Sequence, residues 1–129
     1  MALRQWYNMI FEIKGQLRGG KNMMGVNTRT GLHYAKPLFI KWRQGILSML
    51  LPQWYKQRKE RLKVASILSV HYWPGDLRKR DISALLDGLF HCLEKVGAIE
   101  DDGLIRNVHW IEESLDRENP RALLILKPK

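Results

Sequence analysis

From Trp6 to Lys14 apolar and polar positions alternate, Tyr7, Met9, Phe11 and Ile13 against Asn8, Ile10, Glu12 and Lys14. A period of two predicts a strand. The pattern then lapses. Residues 15–36 carry Gly15, Gly19, Gly20, Gly25 and Gly31 among basic side chains and predict a long loop, uncommon inside a compact domain and often functional. Pro37 suits the first turn of a helix, where its missing N–H leaves nothing unbonded. Leu38, Ile40, Trp42, Ile46, Met49 and Leu50 continue that helix to about Leu51, with Pro52 as its expected stop. The apolar, β-branched run VASILSVHYW (64–73) predicts a central strand, and Pro74-Gly75-Asp76 a turn. Ile82, Leu85, Leu86, Leu89, Phe90, Leu93 and Val96 then recur at helical spacing, with Gly97 placed to end the helix. Leu104–Ile111 and Ala122–Lys127 predict two last strands around a polar turn. The order β-α-β-α-β-β, without internal repeat, predicts one α/β domain over residues 1–129, a mixed sheet with two main helices packed on it.

Composition adds bounds to this picture. A chain of 129 residues, 45% hydrophobic and 27% charged, can bury one core and is not a disordered one. The single cysteine, Cys92, cannot form an internal disulfide, so nothing points to an oxidising compartment. The start lacks the apolar run of a signal peptide, and no segment reaches the ~18 apolar residues that span a bilayer. A cytoplasmic protein with no membrane partner is the expectation.

Charge changes the picture more. The formal net charge is +9, unevenly spread. Residues 1–63 hold 13 Lys or Arg against Glu12 and Glu60, a balance of +11, whereas residues 64–129 hold 9 against 11 Asp or Glu, a balance of −2. A strongly basic half attracts phosphate by releasing condensed counterions. A basic surface kept for solubility, or one facing an anionic membrane, is the alternative. The candidate phosphate contacts are Lys21, Arg29, Lys36, Lys41 and Arg43, with Arg78, Lys79 and Arg80 ahead of the second helix. Trp54 and Tyr55, beside Lys56, Arg58, Lys59, Arg61 and Lys63, suit base stacking, or simply packing beside a solvated charged segment.

The acidic residues Asp81, Asp87, Glu94, Glu100, Asp101 and Asp102 fall between 81 and 102. Asp81 suits a helix N-cap, where a carboxylate accepts from free backbone N–H groups, and Glu100-Asp101-Asp102-Gly103 suits a plain acidic turn. Two or three of these aspartates, from separated segments, suit a hard cation such as Mg²⁺ beside a phosphate. The four histidines lack metal-ligand spacing, and with one cysteine a zinc site is not expected.

The segment RKRDISALLDGLFHCLEKVGAIEDDGLI (78–105) resembles the core motif of the RusA-like Holliday-junction endonucleases, with its R-x-D-x-D-N start, amphipathic helix and closing D-D before a strand. GLHYAKPLFIKWRQ (31–44) is similar, more weakly, to the family's loop and first long helix. The resemblance implies a homodimer that binds four-way DNA junctions and nicks them with Mg²⁺, in recombination or repair. It places Asp81 on the first motif aspartate and Asp102 on the last, with Asp101 beside it as a further metal ligand. Two positions depart: Ser83 stands for the second aspartate and Ala84 for the asparagine. A neutral serine hydroxyl is a poor Mg²⁺ ligand. Asp87, where some members carry lysine, lies one helical turn from Ser83 and is the candidate to replace the missing carboxylate. The alternative is a junction- or duplex-binding protein of the same fold with impaired chemistry; a third is a basic interaction domain whose aspartates only cap. Geometry sets one condition. A helix from Asp81 to Gly97 is about 24 Å long and five extended residues return about 17 Å at most, so Asp81 and Asp102 share an ion only if the helix ends early or the chain doubles back along it.

Overall fold

A computed structural model describes residues 8–18, 24–35 and 37–129. Strand β1 (Met9–Lys14) is followed by a small ribbon, β2 (Met24–Val26) and β3 (His33–Ala35), then helix α1 (Pro37–Gln57) and strand β4 (Ser66–Trp73). Helix α2 (Ile82–Val96), a 3₁₀ turn at Asp102–Leu104, β5 (Ile105–Glu112) and β6 (Arg121–Pro128) complete the described chain. The main sheet has the order β1-β6-β4-β5. β6 pairs antiparallel with both β1 and β4, and β4 pairs parallel with β5, so the sheet is mixed and β4-α2-β5 is a crossover unit. The expected α/β architecture with two helices on a mixed sheet is therefore present.

Strand alternation decides which face is covered. Met9, Phe11 and Ile13, Leu68, Val70 and Tyr72, and Ala122, Leu124 and Leu126 are buried on one side of the sheet. They form one apolar cluster with Ile46 and Leu50 of α1 and Leu85, Leu89, Leu93 and Val96 of α2. Each Leu, Ile, Val, Phe or Met among them contributes about 1.5–3 kcal/mol through burial, which makes this shared face the main support of the fold. At Gly88 the helices come so close that an added Cβ would lie 2.9 Å from the ring of Trp42.

Two expectations are corrected. Residues 15–36 are not loop throughout, because 24–26 and 33–35 pair as an antiparallel ribbon. Its turn is closed locally: Asn27 Oδ1 accepts from the N–H groups of Arg29 and Thr30, and Gly31 takes a φ of +70°. Three-residue strands are too short for alternation to reveal. The first helix does not stop at Pro52 but runs on to Gln57. Pro52 removes one backbone hydrogen bond at an exposed position. The turns beyond it are held by the sheet instead: Gln53 bonds both the N–H and C=O of Glu12, and Gln57 both those of Ile10, at 2.7–2.9 Å. These side chains satisfy the outer edge of β1 as a further strand would. Trp54 packs against the core from the same stretch, as the simpler of its two expected roles had it. Among the described residues no helix is long and apolar enough to cross a membrane.

Candidate metal centre

Helix α2 begins and ends on recognisable chemistry. Asp81 is its N-cap: Oδ1 accepts from the N–H of Ser83 at 3.1 Å and from its hydroxyl at 2.6 Å. At the other end Gly97 adopts φ +93°, with Gly97 N–H bonded to Glu94 O and Ala98 N–H to Leu93 O. That pair of bonds turns the chain sharply back, in a conformation glycine takes without strain. Ala98 and Ile99 are then buried, and a bridge between Ile99 and Leu62 fixes the return path. Arg61 also donates to Gly97 O at 3.2 Å.

This reversal lays the Glu100-Asp101-Asp102 stretch against the last turn of α2. Asp101 caps the 3₁₀ turn, its carboxylate accepting from Gly103 N–H at 2.8 Å, and Asp102 N–H donates to Glu94 Oε1 at 3.3 Å. One oxygen from each of Glu94, Asp101 and Asp102 lies within 4.8 Å of the others. Burial raises the Asp102 pKa above its ordinary value, and the neighbouring charges of Glu94 and Asp101 raise it further. Oxygen donors of like charge, drawn together at the surface, are a set that a hard divalent cation suits and would relieve of repulsion.

His91 lies one turn before Glu94 on α2 and sits 3.1 Å from an Arg43 N–H across the helix pair. Arginine only donates, so His91 Nε2 is the acceptor and its proton is on Nδ1. Burial lowers the His91 pKa first, and the charges of Arg43 and Lys95 lower it further.

The structure brings together some of the expected site residues and separates others. Asp101 and Asp102 meet, with Glu94 as a third member, an acidic residue of the same stretch that the resemblance gives no role. Its signal was positional: Glu94 stands three residues before the glycine that reverses the chain. Asp81 is not in this group. It precedes Glu94 by thirteen residues, about 19 Å along the helix axis. The chain doubles back only as far as the last turn, so one ion bound within the chain cannot touch both Asp81 and Asp102. Asp87 is exposed midway, about 10 Å along the axis from Glu94, and so belongs to neither end.

The basic candidates divide similarly. Lys21 and Lys36 lie outside the described residues. Arg29 is exposed at the tip of the β2–β3 turn, and Lys41, Arg78 and Lys79 are exposed too. Arg43 is half-buried on His91. Arg80 is occupied in the loop before α2, where it bonds the backbone and carboxylate of Asp76 and lies 5.5 Å from the Tyr72 ring centre. Cys92 is buried and its thiol is pushed up to about 12, which excludes it as a nucleophile near neutral pH. No family model and no curated protein matches the chain.

Proposed function

We propose that the protein is a Mg²⁺-dependent endonuclease that nicks branched DNA such as four-way junctions, in recombination or repair. The observation that carries this reading is the Glu94–Asp101–Asp102 cluster, in a chain whose first half has a balance of +11. Glu94, Asp101 and Asp102 would hold the ion, which would supply a Lewis acid for the scissile phosphate. The chain's cations would bring the DNA backbone to a surface that carboxylates alone would repel. A homodimer belongs to this reading, since a junction presents two-fold related strands and paired nicks need two sites.

A second reading, a junction- or duplex-binding protein without nuclease chemistry, is favoured by one contact. Ser83, which stands where the resembled family has an aspartate, spends its hydroxyl on Asp81 Oδ1, so both side chains serve the helix start. Incubation of labelled four-way junction and linear duplex with Mg²⁺ or EDTA separates the two. The nuclease reading expects Mg²⁺-dependent nicks in the junction that vanish in Asp102→Asn. Tight junction binding without nicks under Mg²⁺ or Mn²⁺ would establish the second reading, and no binding at all would sink both. A monomer in sedimentation at working concentration, with and without junction, would remove the homodimer.

A further inference from the structure

A second feature lies away from the acidic cluster, where β1 ends and α1 begins. A cavity of about 340 Å³ opens there, within the size range of small-ligand sites. Lys14 from the end of β1, Arg18 from the segment after it and Lys41 from α1 all line it. Among the described residues that line it there is no carboxylate. Three basic residues from separate places in the chain thus line one opening, whose lining sets no carboxylate against a bound anion. The cavity also borders the first turns of α1, a 21-residue helix with no acidic residue in its first turn, where the backbone adds positive potential.

The rest of the lining is mainly apolar, apart from Gln16, whose amide is bonded to Asp76 and Tyr72. Leu38 is 68% exposed at the mouth, and Trp42 and Met49 lie deeper. The far end of the Trp42 ring lies against Gly88 of α2. An aromatic plate beside a cationic rim fits a planar base joined to a phosphate. Inorganic anions would use the rim alone and leave Leu38 and Trp42 unused.

We propose that this cavity receives one nucleotide unit, its phosphate among Lys14, Arg18 and Lys41 and its base against Trp42 and Leu38. The unit can come from a single strand of DNA or from a free mononucleotide, since both present the same phosphate and base. The inference does not need the acidic cluster to hold a metal, and its test runs in EDTA, where nicking is silent. Failure of one therefore leaves the other standing.

The test is calorimetric titration of the full chain with deoxyadenosine monophosphate, deoxyadenosine, inorganic phosphate and a short oligothymidylate. The nucleotide should bind more tightly than either of its parts. Arg18→Gln and Lys41→Gln should each weaken it at least about tenfold, as expected for a lost charge-assisted hydrogen bond. Leu38→Glu, at an exposed position that folding does not depend on, should do the same, and Arg106→Gln on β5 should not. Circular dichroism of each variant shows that it is folded. An oligonucleotide that binds more tightly than the mononucleotide identifies a strand as the source; the reverse order identifies free nucleotide. Phosphate or nucleoside binding as tightly as the nucleotide, or unchanged affinity in Lys41→Gln and Leu38→Glu, overturns the proposal.

Discussion

Asp81 and Asp102, the two ends of the resembled motif, do different physical work in the folded chain. Asp81 accepts two hydrogen bonds at the start of α2. Asparagine caps a helix about as well as aspartate, whereas alanine costs about 1 kcal/mol. If capping is the whole role, Asp81→Asn should leave urea stability and nicking unchanged, and Asp81→Ala should lower stability by about that amount. Loss of nicking in a stable Asp81→Asn protein would instead put this carboxylate on the substrate, or on an ion other than the one held by the cluster. For Asp102 the argument runs through protons. Its pKa is raised by burial and then by Glu94 and Asp101, so the folded chain holds the proton to higher pH than the unfolded chain does. The ionised carboxylate thus opposes folding, fully above the folded pKa, and the opposition fades as pH falls through that pKa towards the unfolded value. Without metal, Asp102→Asn should be the more stable protein near neutral pH, with the difference vanishing below the ordinary carboxylate range; denaturant titrations across pH measure this. Mg²⁺ at a hundred times its Kd should stabilise the wild type by about 2.7 kcal/mol and Asp102→Asn far less. Equal responses to Mg²⁺ would place the ion elsewhere.

At the scale of elements, the contact between α1 and α2 positions the wall of the cavity. It sets Trp42 against Gly88 and Arg43 against His91. Gly88→Ala gains about 1 kcal/mol of helix propensity, but its Cβ would sit 2.9 Å from the Trp42 ring, closer than carbon atoms pack. Overpacking of this kind costs about 1–3 kcal/mol, so the net effect should be destabilising. In a Trp42→Leu background the clash is gone and the same substitution should stabilise. A double-mutant cycle in urea reads the sign change, and an equal effect in both backgrounds would show that the helices do not meet there. Helix α2 was legible to the residue, because a long amphipathic period and a terminal glycine are local signals. The sheet strands were legible to within a few residues for the same reason. The end of α1 was not, since Gln53 and Gln57 hold it through bonds to strand residues more than forty positions away, and the β2–β3 ribbon was too short to show a period. Of the candidate centre, the meeting of Asp101 and Asp102 follows from adjacency. Glu94 and the exclusion of Asp81 depend on how far the chain returns along α2, which buried Ile99 and its bridge to Leu62 decide.

For the whole molecule, the charge balance of the first half overstates the cations on which the proposed DNA contact could draw. Lys59 bonds the carbonyl of Asn8 and Arg61 that of Gly97, so both fasten chain segments that the fold must join. Arg43 is turned to His91. Lys14, Arg18 and Lys41 converge instead on one exposed opening, and Arg29 stands at an exposed turn. Each phosphate neutralised contributes about −0.9 to the slope of log K against log salt on duplex DNA, and about −0.7 on a single strand. If the converging group is the footprint, Arg18→Gln and Lys41→Gln should each make the slope shallower by roughly that increment, and the pair by roughly twice as much. Arg61→Gln should lower stability by about 0.5–1.5 kcal/mol, the usual worth of one hydrogen bond, without altering the slope. Salt titrations of junction binding, in EDTA so that cutting does not intervene, distinguish the two groups. A slope that moves with Arg61 and not with Lys41 would mean that DNA approaches the return loop beside Gly97 rather than the opening at the start of α1.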